Sequence, residues 1–295
     1  MNVIEITNLT KDYGDNKGVF DISFSVEKGE VFGFLGPNGA GKTTTLRHLM
    51  GFVKAESGEC RINQTDCFAD ASLIQNDIGY IPGEISFMDN LNGLEFIKFI
   101  AEYRGLKDLT YAYELIKLFE LNTSGKIKKM SKGMKQKLGI IVALMHNPSV
   151  LILDEPTSGL DPLMQNRFVE LIKREKDKGK TILMSSHMFE EIERTCTKVA
   201  IIKDGKVVTI DDIFNLKKSK SRKYTITFEN SKDCDVFKNE NINVLSVEDS
   251  KITVLVQNNI NELIEILSKY NVLDFVEEYQ SLESVFMGYY GDNND

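Results

Sequence analysis

Residues 36–44 read GPNGAGKTT, and this stretch constrains the chain more than any other. The spacing G-x-x-x-x-G-K-[ST] is that of a phosphate-cradling loop, with Gly36 and Gly41 bracketing it and Lys42, Thr43 and Thr44 closing it. Glycines let the backbone curl so that successive N–H groups point inward at phosphate oxygens. Lys42 adds a point charge for the terminal phosphates, and the Thr43 hydroxyl is a ligand for Mg²⁺. Such a loop needs a strand before it and a helix after it. The apolar run VFGFL at 31–35 supplies the first, and helical periodicity over 44–50 supplies the second. Gly36, Pro37, Asn38, Gly39, Ala40, Gly41, Lys42, Thr43 and Thr44 are therefore the expected contacts of a nucleoside triphosphate.

The bulk properties narrow the context of that loop. A chain of 295 residues accommodates one large domain and a smaller one. Its 42% hydrophobic and 27% charged content is ordinary for a globular protein. A net charge of −8 argues against nucleic acid as a partner, because a phosphate-binding surface needs a basic excess. Cys60, Cys67, Cys196 and Cys234 are scattered without metal-ligand spacing and read as reduced thiols. The first residues, MNVIEITNLTKDYG, lack an apolar core, so no signal peptide is expected. The longest apolar stretch, near 138–145, is too short to cross a bilayer, and a membrane role would require a separate subunit.

Along the chain, residues 1–215 alternate short apolar strands with amphipathic helices, which is an α/β pattern. Strands are expected at 3–8, 23–26, 31–35, 78–81, 150–153, 181–184 and 199–202. After the turn Asp204-Gly205, 207–210 forms the second arm of a hairpin. Between about 90 and 145 helical periodicity replaces the strands, and an inserted helical subdomain is expected there. The basic run LKKSKSRK at 216–223 marks a linker. Beyond it, 224–295 reads as a small accessory domain. Strands at 224–228, 244–247, 252–256 and 272–279 alternate with helices near 236, at 260–270 and at 282–289. The order βαββαβ suggests a ferredoxin-like α+β module.

The second half of the site stands at 150–155, VLILDE, an apolar strand ending in two carboxylates. Asp154 is placed to join the Mg²⁺ shell and Glu155 to polarise an attacking water as general base. With these residues in view, 1–215 resembles the ATP-binding subunit of an ABC transporter. The resemblance rests on GPNGAGKTT, LILDEP, SGLD at 158–161, SSH at 185–187, MSKGM at 130–134 and the aromatic Tyr13 in KDYGDN. It implies a P-loop NTPase core with an antiparallel β subdomain and the helical insertion. It also implies ATP and Mg²⁺ as cofactors, Tyr13 stacking on adenine, Asp161 near the nucleotide, and His187 contacting the γ-phosphate. The signature serine and glycine of the family are matched by Ser131 and Gly133. They stand at the start of a helix whose positive end favours an anion.

Two departures from the family pattern bear on the chemistry. Lys132 and Met134 replace a glycine and a glutamine in the signature, and six lysines lie between 126 and 137, which read as an exposed basic helix face. In IGYIPGEISF, residues 78–87, Gly83 stands where the family has a glutamine that contacts metal and water. Either Glu84 takes the metal-binding role, or that role is absent. His48 and His146 read as packing or capping residues.

The resemblance further implies that the signature completes the site of a second ATPase subunit, giving a head-to-tail dimer. A separate integral-membrane permease would receive the motion, with Phe87, Met88 and Leu91 as docking candidates and the subunit peripheral to the cytoplasmic face of the membrane. The ending SLESVFMGYYG resembles subunits of bacterial ABC-2-type exporters of antimicrobial peptides, drugs or lipids. Two alternatives stand beside it. One is a non-hydrolysing regulatory or immunity protein. The other, disfavoured by the single phosphate loop and the lack of a heptad run, is a soluble ATPase acting on nucleic acid or ribosomes.

Overall fold

A computed structural model of the protein describes residues 1–15, 17–88, 90–217, 222–256, 260–278, 282–283 and 286–287. The first unit, Met1–Ile213, begins with β1 (Asn2–Asp12), β2 (Gly18–Glu27), β3 (Val31–Leu35), α1 (Lys42–Leu49), β4 (Ser57–Ile62) and β5 (Thr65–Asp66). Then come α2 (Ala71–Ile74), β6 (Ile78–Ile81), α3 (Gly93–Tyr103), α4 (Thr110–Leu118), α5 (Lys132–Leu144) and β7 (Val150–Asp154). It ends with α6 (Pro162–Asp177), β8 (Thr181–Ser186), α7 (Phe189–Thr195), β9 (Lys198–Lys203) and β10 (Lys206–Asp212).

A six-stranded sheet in the order β10-β9-β3-β8-β7-β6 forms the centre of this unit. It is parallel apart from β10, which returns antiparallel along β9. β3, β7 and β8 are buried at every residue. Continuous apolar runs are what strands covered on both faces require. A second, antiparallel sheet has the order β2-β1-β4-β5. There the alternation of β2 sends Val19, Ile22, Phe24 and Val26 inward. Phe24 stacks on Phe32 of the central sheet at 5.1 Å, so the two sheets share one core.

The pattern of the sequence does not mark β4 and β5. SGECRI is largely polar because only Cys60 and Ile62 turn inward. Their connection, Asn63-Gln64, takes left-handed φ values of 50° and 66°, as a two-residue hairpin turn requires. β1 and β2 also run longer than their apolar cores, carried on by pairing through register shifts.

Helices replace strands between β6 and β7. α3 starts at a reciprocal cap in which Asn92 accepts from the Glu95 N–H and Glu95 accepts from the Asn92 N–H, both at 2.8 Å. α4 is tied to α6 by one buried acid. Tyr111 donates its hydroxyl to Glu175 Oε1 at 2.6 Å, and Lys178 and Lys180 lie 2.8 and 2.6 Å from the same carboxylate. Glu175 is fully buried, and Lys180 is 5% exposed.

A short α8 (Ile213–Lys217) contains the division between the units. The second unit, Phe214–Asp295, holds β11 (Arg222–Phe228), α9 (Ser231–Phe237), β12 (Asn243–Glu248), β13 (Lys251–Val256), α10 (Ile260–Leu267) and β14 (Val272–Glu278). Its sheet has the order β12-β13-β11-β14, with every pairing antiparallel. Tyr224, Ile226, Phe228, Phe237, Ile252, Val254 and Leu263 form its core. α9, faint in the sequence, is secured by Asn230, whose side chain accepts the Asp233 N–H at 2.9 Å. Of the helix expected at 282–289, residues 282–283 and 286–287 are described and are helical; residue 279, the expected strand end, and 218–221 of the linker lie outside the described residues.

The Glu175 network gives the fold a direct test. Replacing Glu175 with Ala leaves Lys180 buried without its counter-charge. The expected cost is about 3–5 kcal/mol of stability, read from denaturant midpoints of the two proteins.

Candidate nucleotide site

β3, β8 and β7 are neighbours, and the loops leaving their C-terminal ends converge, as ligand-binding loops do in open parallel sheets. β3 runs into the phosphate loop. Gly41, at φ 106°, is the residue before α1 and adopts a backbone that side chains other than glycine rarely take. Gly36 has no room for a side chain, since a Cβ there would lie 2.6 Å from the Ile202 carbonyl oxygen. Lys42 opens α1, and its ammonium donates to the carbonyls of Gly36 at 2.7 Å and Pro37 at 3.2 Å. Pro37, Asn38 and Gly39 are exposed at the crest of the loop, whereas Ala40 is buried.

β7 ends in Asp154, which is fully buried. Thr43 donates its hydroxyl to Asp154 Oδ2 at 2.6 Å, and Ser185 of β8 donates to Oδ1 at 2.5 Å. Among the described residues no lysine, arginine or histidine pairs with this carboxylate. Hydroxyl and carboxylate oxygens are the hard donors that suit Mg²⁺, so the residues present fit that ion. No group of three or more His, Cys, Asp or Glu side chains stands ready for a metal among the described residues. Phosphate and water oxygens would complete its shell.

Glu155 follows with φ 50°, a left-handed conformation that costs a non-glycine residue on the order of 1 kcal/mol. Its N–H is held by the Ser185 carbonyl at 3.2 Å and the Ser185 hydroxyl at 3.1 Å. The twist aims the carboxylate between an ammonium and an imidazole. Lys42 Nζ lies 3.1 Å from Oε1 as an ion pair without hydrogen-bond alignment, and His187 Nδ1 lies 2.6 Å from Oε2. His187, just past β8, is half exposed.

A cleft of about 500 Å³ opens over these groups. Tyr13, Pro37, Asn38, Gly39, Gly41, Lys42, Thr43, Thr44 and Glu155 line it, together with Lys17, Gly18, Asp204 and Gly205. The last four are not marked by the sequence reading, which takes Asp204-Gly205 only as a hairpin turn. The turn touches the loop directly, because the Gly205 N–H donates to the Ala40 carbonyl at 3.1 Å. Tyr13 is 57% exposed at the edge of the cleft, with Lys11 Nζ over its ring, 5.6 Å from the centroid.

Ser131, Gly133 and Asp161 do not line this cleft. Ser131 is exposed and caps α5 by accepting the Met134 N–H at 3.2 Å. Gly133 backs onto the loop after β7, where a Cβ would meet the Gly159 carbonyl oxygen at 2.6 Å. Asp161 caps α6 through the Met164 N–H at 3.0 Å. Gln136, absent from the sequence reading, ties α5 to the same loop by donating to the Pro156 carbonyl at 2.7 Å.

The segment after β6 places Gly83 against the oxygens of Asp154 and Thr43. A Cβ there would lie 2.9 Å from Asp154 Oδ2 and 3.7 Å from Thr43 Oγ1. Glu84 is exposed and does not line the cleft. Phe87 packs edge-on against Phe96 at 5.0 Å, Met88 is 50% exposed, and Leu91 is half-buried. His48 and His146 sit outside the site. His48 Nδ1 faces the Thr44 carbonyl at 2.8 Å, and burial lowers its pKa. Burial also pushes His146 down to about 4, with Nε2 3.2 Å from the Ile78 carbonyl.

A parallel sheet whose first loop cradles phosphate, with an acidic strand end beside it, defines the P-loop nucleoside triphosphatases. Known proteins narrow that class. A family profile described as ABC transporter matches residues 19–158. An ABC transporter ATP-binding protein of Methanocaldococcus jannaschii is 41% identical over 219 residues, 71% of this chain and 79% of the relative. The bacitracin transport ATP-binding protein BcrA of Bacillus licheniformis is 40% identical over 225 residues, 75% of this chain and 73% of that protein. A solved ATP-binding subunit of an ABC transporter matches with a TM-score of 0.67 at 30% identity, covering 73% of this chain and 92% of that one. The chain belongs to the ABC transporter ATP-binding proteins, and its activity is that of an ATPase.

Gly83 offers a test of how tightly the Asp154 and Thr43 oxygens are packed. In Gly83→Ala the new methyl crowds Asp154, and steady-state hydrolysis is expected to fall about tenfold with the melting curve unchanged.

Proposed function

We propose that this chain is the energy-coupling subunit of a bacterial exporter, acting as a head-to-tail pair on a separate membrane permease. One observation carries the pairing. Ser131 and Gly133 stand at the exposed N-terminal end of α5 and take no part in the cleft of their own chain. A helix start with an exposed serine and a close-approach glycine suits a phosphate, and a second subunit supplies one. A two-fold pair would then hold two equivalent composite sites, each with Lys42, Thr43 and Tyr13 from one subunit and Ser131 and Gly133 from the other.

Within each site Glu155 acts as general base. Its carboxylate takes a proton from water as the water oxygen bonds to the γ-phosphorus and the bond to the β-phosphate bridging oxygen breaks. The left-handed backbone at Glu155, pinned to Ser185, holds that carboxylate at the mouth of the loop. His187 fixes its orientation through Oε2, and Lys42 is in reach of the terminal phosphates. Thr43 and Asp154 would hold Mg²⁺, which neutralises phosphate charge when bound.

The bacitracin transport relative supports an exporter of antimicrobial peptides, drugs or related amphipathic compounds. Among the described residues no helix is long and apolar enough to cross a membrane, which agrees with a peripheral subunit at the cytoplasmic face. Exposed Met88 with half-buried Phe87 and Leu91 supports docking of the permease beside the segment that carries Gly83. The helical stretch at 90–145 would relay that contact to the signature. The second unit, with its βαββαβ order, is assigned as a ferredoxin-like accessory domain over 224–295.

Glu155→Gln keeps the size and removes the base. ATP binding is expected to persist, turnover to fall at least about 100-fold, and an ATP-dependent dimer to accumulate in size-exclusion chromatography. Full turnover in this variant would remove Glu155 as the base.

A further inference from the structure

Glu191 lies on α7, outside the cleft, and is 5% exposed. An acid at the third position of a helix ordinarily reaches back to the N–H of the cap residue. Here the cap residue is Met188, and its N–H donates instead to the Ser186 hydroxyl at 2.9 Å. The Glu191 carboxyl turns inward, and Ser186 donates its proton to Oε2 at 2.6 Å. Helix capping therefore does not account for this buried acid.

Its partner Ser186 is the last residue of β8, next to His187. The Ser186–Met188 contact closes the turn that holds His187. His187 in turn faces the Glu155 carboxylate, with Nδ1 2.6 Å from Oε2. The remaining oxygen, Oε1, has no hydrogen-bond partner. We propose that Glu191 is a positioning residue for ATP hydrolysis, which through Ser186 holds the turn that presents His187 to Glu155. The proposal rests on the roles given above to those two residues.

Burial pushes the pKa of Glu191 up to about 7, hydrogen bonding from Ser186 opposes the shift, Glu155 adds to it, and His187 opposes it. The Cys196 thiol, further along the helix, feels the same group. Below that pKa the carboxyl is neutral and the Ser186 contact is kept beside Glu155. Above it a second negative charge stands behind Glu155 and strains the turn.

The test uses the full chain with Glu191→Ala, Glu191→Gln and Glu155→Gln in parallel, measuring kcat and KM for ATP and binding of a fluorescent ATP analogue. Glu191→Ala is expected to lower kcat at least about tenfold with KM within about twofold, and Glu191→Gln to recover most of the loss. Because the amide cannot ionise, the ratio of Glu191→Gln to wild-type rate should rise from about pH 6 to about pH 8. A Glu191→Ala kcat within about twofold of wild type, a parallel loss of ATP binding, or no recovery in Glu191→Gln overturns the proposal. If the Ala variant does not fold, a Glu191→Gln pH profile superimposable on wild type overturns it. Retained turnover in Glu155→Gln would instead overturn the base assignment.

Discussion

The hydrogen bond from Thr43 to Asp154 is the contact on which the rest of the site depends. A carboxylate buried at a strand end is costly unless polar groups surround it, and Asp154 is fully buried. Its two oxygens are answered by hydroxyls from Thr43 and Ser185, at the start of α1 and the end of β8. The first of these forces α1 to begin over the end of β7, one strand beyond the neighbour of its own β3. The loop joining β3 to α1 must then arch across β8. That arch carries Lys42 to the place where β7 releases Glu155.

Glu155 shows the same logic at one residue. Its left-handed backbone is unfavourable by itself. Two bonds from its N–H to Ser185, an imidazole on one oxygen and an ammonium on the other outweigh that cost. Strain of this kind persists only where the surroundings over-determine it, and here β8 supplies most of the surroundings. β8 is thus as much a part of the site as the loop that names it, though it contributes only serines before His187.

What could be read in the sequence follows from how local each signal is. VFGFL and VLILD are continuous apolar runs, and only strands buried on both faces require that pattern. The phosphate loop announces itself because its glycines, lysine and threonines are contiguous. β4 and β5 were hidden because one polar face and an unusual turn leave little periodicity. Lys17 and Gly18 are ordinary residues whose importance comes from what folds next to them. Glu191 is the hardest case, since an acid in the first turn of a helix reads as an exposed cap, and only the fold shows it facing inward. Glu84 was singled out for its chemistry, but the backbone position of its neighbour Gly83 is what meets Asp154.

The turn at Asp204-Gly205 has a consequence for how the two sheets of the first unit can move. Gly205 gives its N–H to Ala40 in the phosphate loop, and its carbonyl accepts the N–H of Phe20 in β2. A side chain at this residue would collide with the Gly18 carbonyl oxygen at 2.5 Å. The last hairpin of the central sheet is therefore stitched both to the cradle of the phosphates and to the edge of the antiparallel sheet that brings Tyr13. Rocking of one sheet against the other is therefore resisted here by backbone hydrogen bonds as well as by the shared core. The same turn lines the cleft beside Tyr13 and the phosphate loop, so a hinge of that kind would reshape the cleft itself.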